Sequence, residues 1–109
     1  MTDRELLELA AKAAGITLEW DGNPDDWMPM YYEGKTYHQW NPLEDDGDAL
    51  RLAVKLGIVV EYRREVPACF AYHYALNLEV VQRNDKIDGY AATRRAIVRA
   101  VAEIARAMK

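Results

Sequence analysis

Met28-Pro-Met-Tyr-Tyr-Glu-Gly-Lys-Thr-Tyr-His-Gln-Trp40 decides how this chain is read. Two tyrosine-rich runs flank Glu33-Gly34-Lys35, and glycine supplies the positive φ that a tight hairpin loop demands. The segment therefore predicts two short antiparallel strands. Both faces of such a hairpin carry aromatic side chains. Alternate members either complete a core or form a contact patch, since Trp, Tyr and Met bury large areas with few rotamers or adapt to irregular surfaces. Pattern alone leaves that choice open.

Upstream of the hairpin, Thr2 or Asp3 caps a helix that runs to about Ala14. Leu6, Leu9, Ala10 and Ala13 form its apolar stripe, and Gly15 ends it. Ile16 to Trp20 alternates with period two as a strand, closed by the turn residues Asp21 to Asp26. Downstream, Asn41-Pro42 and the acidic string Glu44-Asp-Asp-Gly-Asp48 lead into a helix from Ala49 to Leu56. Leu50, Ala53, Val54 and Gly57 are its expected inward side. Ile58 to Arg64 predicts a strand with Ile58, Val60 and Tyr62 on one face. After Pro67, Phe70 to Val80 reads as one long strand that bends or bulges, with Phe70, Tyr72, Tyr74, Leu76, Leu78 and Val80 on one face. Asp88 caps a last helix. Its core stripe is Ile97, Val98, Val101, Ile104, Ala105 and Met108, with Arg95, Arg99, Arg106 and Lys109 on the far side.

The expected fold is thus α+β: a single domain over residues 1–109, with one mainly antiparallel sheet of four to five strands packed with three helices. The 109 residues are half apolar and 29% charged, which is a globular composition. Net charge is −4, but residues 1–50 hold twelve Asp/Glu against three Lys/Arg, and residues 51–109 hold eleven Lys/Arg against six Asp/Glu. Halves of −9 and +5 suit an acidic surface facing a basic partner, a basic stripe facing phosphates, or two solvated faces that attract each other. One cysteine excludes an intramolecular disulfide framework and fits a reducing, cytoplasmic setting. No signal segment and no apolar run long enough for a spanning helix is visible, so no membrane association is expected.

No catalytic signature stands out. Asp25, Asp26, Asp45, Asp46 and Asp48 invite a divalent-ion reading, yet Glu44 to Asp48 lacks alternating oxygen ligands. Val54 and Lys55 also fall where the closing glutamate of a calcium loop would stand. Helix capping explains these acids better. His38 and His73 have no base or carboxylate placed beside them by spacing, and Cys69 reads as a small buried residue. The expectation is no enzyme, no cofactor and no metal.

Leu6-Leu-Glu-Leu-Ala-Ala-Lys-Ala-Ala-Gly-Ile16, Trp40-Asn-Pro-Leu-Glu-Asp-Asp-Gly-Asp-Ala-Leu-Arg-Leu52 and Ala91-Ala-Thr-Arg-Arg-Ala-Ile-Val-Arg-Ala100 together resemble the phage α-β-α sandwich domain family. The resemblance implies a phage or prophage origin, residence in a host bacterial cell, and a sheet flanked by helices on both sides. It carries no assigned catalytic or ligand residues.

These readings converge on a phage-encoded accessory protein that binds another protein, with antagonism of a bacterial defence system as its suggested role. The candidate contact residues are Asp25, Asp26, Trp27, Met30, Tyr31, Tyr37, Trp40, Asp45 and Asp46. The alternative is nucleic-acid binding through Arg95, Arg99 and Arg106 on the last helix. A homodimer through exposed aromatics is a further alternative.

Overall fold

The computed structural model describes residues 1–23 and 26–108. Helix α1 spans Asp3–Ala14. Thr2 is its N-cap: the hydroxyl accepts from the Glu5 amide at 3.1 Å, and the Glu5 carboxylate accepts from the Thr2 amide at 3.5 Å. This reciprocal box satisfies two donors that the first helical turn leaves free. Gly15, at φ +73°, turns the chain out of the helix.

Strands β1 (Glu19–Asn23), β2 (Asp26–Glu33) and β3 (Thr36–Gln39) form an antiparallel meander in the order β1-β2-β3. The hairpin around Gly34 forms where the sequence places it. The preceding strand begins at Glu19 rather than Ile16, because Ile16 and Leu18 pack onto the core from the connection instead of joining the ladder.

Helix α2 spans Asp46–Leu56 and starts three residues earlier than expected. Asp45 caps it by accepting from the Asp48 amide at 2.8 Å. Its buried side chains are Ala49, Leu52 and Ala53, whereas Leu50 and Val54 are 64% and 74% exposed, so the expected inward face is corrected. Two apolar stripes of similar spacing coexist on this helix. The Asp48 carboxylate, accepting from the Asn41 amide at 3.0 Å, fixes the helix's rotation in favour of the Leu52 side.

Strands β4 (Val59–Arg63), β5 (Ala68–His73) and β6 (Leu78–Arg83) make a second antiparallel meander. The single strand expected over 70–80 is broken. Tyr74–Leu76 forms a 3-10 turn in which His73 Nδ1 accepts from the Leu76 amide at 3.2 Å, and Asn77 takes a left-handed conformation at φ +50°. The turn resets the alternation, so Ala71 lies opposite Val80 and both are buried.

Helix α3 (Gly89–Ala107), capped by Asp88, is buried on most of its circumference. Ala92, Ala96, Ala100, Ala102 and Ala105 allow close approach of its neighbours, while Val98 and Val101 are fully enclosed. It packs on β5 and β6 and on α1 and α2. Met108, expected in the core stripe, is 43% exposed beyond the end of the helix.

Three helices and an antiparallel α+β build are therefore present. In place of one sheet of four to five strands, the described residues form two three-stranded sheets. The second sheet presents Cys69, Ala71 and Val80 to α3, but its other face, with Val59 and Val81 each 40% exposed, remains open. That face departs from a sheet flanked by helices on both sides. The first sheet rests on α1 and α2 through Trp20 and Tyr31, and Arg4 of α1 stacks over the Trp20 ring at 4.5 Å.

Candidate functional site

The register of the first sheet sorts its aromatic residues onto two faces. Trp20 pairs with Pro29, and Tyr31 with His38. Side chains alternate along each strand, so Trp20, Trp27, Pro29, Tyr31 and His38 share the inner face. Glu19 pairs with Met30, Asp21 with Met28, and Tyr32 with Tyr37, which gathers those six side chains on the outer face.

The outer face is open to solvent. Tyr32 is 61% exposed, Met28 and Tyr37 are exposed, and Met30 is half-buried. The Tyr32 and Tyr37 rings lie 4.6 Å apart, a tilted cross-strand pair that holds both. Partial desolvation, followed by the Asp21 and Glu19 carboxylates, pushes the Tyr37 phenol above its ordinary value. Tyr37 therefore stays a neutral donor beside two acids.

Sequence reasoning selected Met30 and Tyr37 from this face and missed Glu19, Asp21, Met28 and Tyr32. Strict alternation counted outward from Gly34 would have found Met28 and Tyr32, whereas Glu19 and Asp21 reach this face only through the pairing of β1 with β2.

The remaining candidates lie elsewhere. Trp40, 5% exposed, belongs to the core, where its amide donates to the Pro29 carbonyl at 2.9 Å. Tyr31 is half-buried on the inner face and its hydroxyl donates to Glu33 Oε2 at 3.4 Å; burial first, then Glu33, raise its pKa. Trp27 is exposed at the rim of the inner face, 5.6 Å from the Arg4 guanidinium. Asp25 and the side chain of Asp26 lie outside the described residues.

Asp45 and Asp46 sit at the start of α2, one as its cap and the other paired with Arg94 at 2.7 Å. Among the described residues no group of three or more His, Cys, Asp or Glu is arranged to hold a metal ion. Within the acidic string Asp45 caps α2, Asp46 pairs with Arg94, and Asp48 accepts from the Asn41 amide and from Arg51.

The arginines of α3 are engaged within the chain. Arg95 pairs with Asp3 at 2.9 Å. Arg99 donates to the Val81 carbonyl and to Gln82 Oε1, both at 2.9 Å, and Arg106 pairs with Glu103 at 3.2 Å. The Asp3–Arg95 and Asp46–Arg94 bridges join the acidic first half of the chain to the basic second half.

His73 is occupied by its turn. Cys69 is fully buried, and burial raises its thiol pKa, which keeps it unreactive. Among the described residues no helix is long and apolar enough to cross a membrane. Compared with protein-family models, with curated proteins and with solved structures, the chain matches none of them.

Proposed function

We propose that this chain is a protein-binding module whose contact surface is the outer face of the first sheet. The observation that carries the reading is the coincidence, on one open face, of Met28, Met30, Tyr32 and Tyr37 with the carboxylates of Glu19 and Asp21. Aromatic and methionine side chains supply buried contact area, and flanking charges select the partner and speed the encounter. The partner of matching chemistry is a protein with an apolar patch bordered by lysine or arginine. Self-association through this face would bring Glu19 and Asp21 close to their own copies, so a basic partner fits better than a second copy.

The resemblance to a phage domain family supports placing such a module among phage accessory proteins in the bacterial cytoplasm. Antagonism of a host defence protein is the form of that role we favour. Nucleic-acid binding through Arg95, Arg99 and Arg106 has less support, because each of them is already held by a partner within the chain.

The test is affinity capture from nuclease-treated bacterial lysate, followed by calorimetry on the purified partner. A stoichiometric partner should weaken as salt rises, and should lose about tenfold or more in affinity with Glu19→Lys/Asp21→Lys. A partner indifferent to both salt and charge reversal would refute this surface.

A further inference from the structure

Strand pairing settles which backbone groups at the rim of the second sheet are used. The Asn84 amide donates to the Pro67 carbonyl at 3.4 Å, one step beyond the Ala68–Arg83 pair. Hydrogen-bonded and non-bonded pairs alternate along an antiparallel ladder. Cys69, Ala71 and His73 therefore bond toward β6, while Ala68, Phe70 and Tyr72 bond toward β4, where their partners are Arg63, Glu61 and Val59. That leaves the N–H and C=O groups of Val60 and Tyr62 pointing out of the sheet along the free edge of β4.

Among the described residues nothing bonds to these four groups. The other strand edges are less open. On β6, Arg99 caps the Val81 carbonyl at 2.9 Å; β1 is bent at Gly22, φ +110°; and β3 spans only four residues. The side chains at the β4 edge lack a neighbour as well. Val60 and Tyr62 face the same way as Ala71 and Cys69, which α3 buries, yet they are 38% and 36% exposed. Beside them a cleft of about 440 Å³, lined by Tyr62, Arg64, Tyr90 and Thr93, opens between the end of β4 and the first turn of α3. One more strand would supply both what the backbone and what the side chains lack.

We infer that this strand is β4 of a second copy, paired antiparallel about a two-fold axis so that two second sheets join into one of six strands. Three registers set outward-pointing groups of β4 against each other. Pairing Val60 with Tyr62 places Glu61 against its own copy, which like charge disfavours, and pairing Val60 with itself places Glu61 against Val59. Pairing Tyr62 with itself places Glu61 of each copy opposite Arg63 of the other. Glu61 and Arg63 are already an ion pair within each strand, and Arg63 is held over the Phe70 ring at 4.3 Å. The dimer therefore needs neither as a free charge: two neutral pairs lie side by side in opposite order, each acid toward the other copy's base. On the inner face, Val60 and Tyr62 of the second copy extend the apolar strip beside the cleft. The contact is isologous, so it closes at a dimer and leaves no free β4 edge. It is independent of the role given to the outer face of the first sheet.

The experiment is sedimentation equilibrium of the full chain, joined to amide hydrogen exchange below and above the association midpoint. A monomer–dimer equilibrium in about the micromolar range is expected, with the Val60 and Tyr62 amides slowing as dimer forms while those of Trp20 and Tyr37, at the edges of the first sheet, do not. Val60→Pro removes an N–H that the β4–β5 ladder does not use, so the fold should keep its circular dichroism while dimer affinity falls about tenfold or more. Glu61→Arg should weaken the dimer about tenfold by setting like charges across the two-fold axis, and Glu61→Arg/Arg63→Glu should restore it. These two charge variants decide the matter even if Val60→Pro does not fold. The inference is overturned if the wild type stays monomeric up to about 1 mM, if a dimer forms without protecting the Tyr62 amide, if folded Val60→Pro dimerises as the wild type does, or if the charge swap fails to restore what Glu61→Arg loses.

Discussion

Replacing Arg94 with alanine removes two hydrogen bonds of different kinds from one side chain. Nε donates to the Leu43 carbonyl at 2.9 Å, and one terminal nitrogen donates to Asp46 Oδ1 at 2.7 Å. The Arg94 side chain is 18% exposed, whereas that of Asp46 is 71% exposed. A half-buried carbonyl left without its donor costs about 1–3 kcal/mol. An ion pair whose acid is mostly in water contributes below about 1 kcal/mol.

Arg94→Ala should therefore destabilise the fold by about 2–3 kcal/mol. Asp46→Asn should cost less than about 1 kcal/mol, including the loss of a first-turn acid on α2. The assay is urea unfolding followed by circular dichroism on both single variants and the double variant. The coupling energy between the two sites should stay below about 1 kcal/mol, and added salt should barely change the Arg94→Ala effect. The reasoning is refuted if Arg94→Ala costs no more than Asp46→Asn, or if the coupling accounts for the whole Arg94 effect.

Three further outcomes follow from individual contacts. Leu52→Ala, at a buried position, should cost about 2–5 kcal/mol in the same assay, while Leu50→Ala, at the exposed stripe of α2, should stay within about 0.5 kcal/mol; equal effects would mean that the helix faces the other way. A Cβ at Gly89 would lie 2.8 Å from the Tyr62 hydroxyl and 2.9 Å from its Cζ. Gly89→Ala, at the first position of α3, should thus destabilise only as far as it displaces the Tyr62 ring from its contact with the Asn84 side chain, and should lose that cost in a Tyr62→Ala background. For Cys69, burial raises the folded pKa above its ordinary 9.0, so the fold favours the thiol; its contribution is complete below that value and declines as pH rises through the folded pKa. Wild type should lose stability above about pH 9 more steeply than Cys69→Ala, and native protein should resist thiol reagents until it unfolds.

Local chemistry made much of the fold legible. The Thr2 and Asp88 caps, the Gly15 stop and the Gly34 hairpin all rest on interactions within a few residues, and all stand where the sequence places them. The errors came where distant contacts decide between equivalent local patterns. The break at Tyr74-Ala-Leu76 is the exception: it is local, made by the His73 side chain folding back on the Leu76 amide and by the left-handed Asn77, but these residues alternate as well as their neighbours do and so hide it. On α2, Ala53 belongs to both possible stripes, so periodicity could not choose between Leu50 with Val54 and Ala49 with Leu52. The division into two sheets is likewise invisible locally, because no short-range signal forbids pairing between the meanders.

The candidate face was half legible for a related reason. Aromatic content marked the hairpin, but Trp27, Tyr31 and Trp40 fall on the inner side or in the core by strand parity. The acids that complete the outer face come from β1, whose pairing partner the sequence did not specify. The arginines of α3 read as a cationic stripe only until their partners Asp3, Gln82 and Glu103 are seen.

The most direct test of the account compares two variants against the captured, purified partner by calorimetry. One is Met28→Ser/Tyr32→Ser on the outer face, and the other is Arg95→Gln/Arg106→Gln on α3. The account predicts about a hundredfold loss of affinity for the first, in the range expected when central aromatic contacts are truncated, and little change for the second. Full affinity in the sheet variant, with the loss confined to the α3 variant, would contradict it.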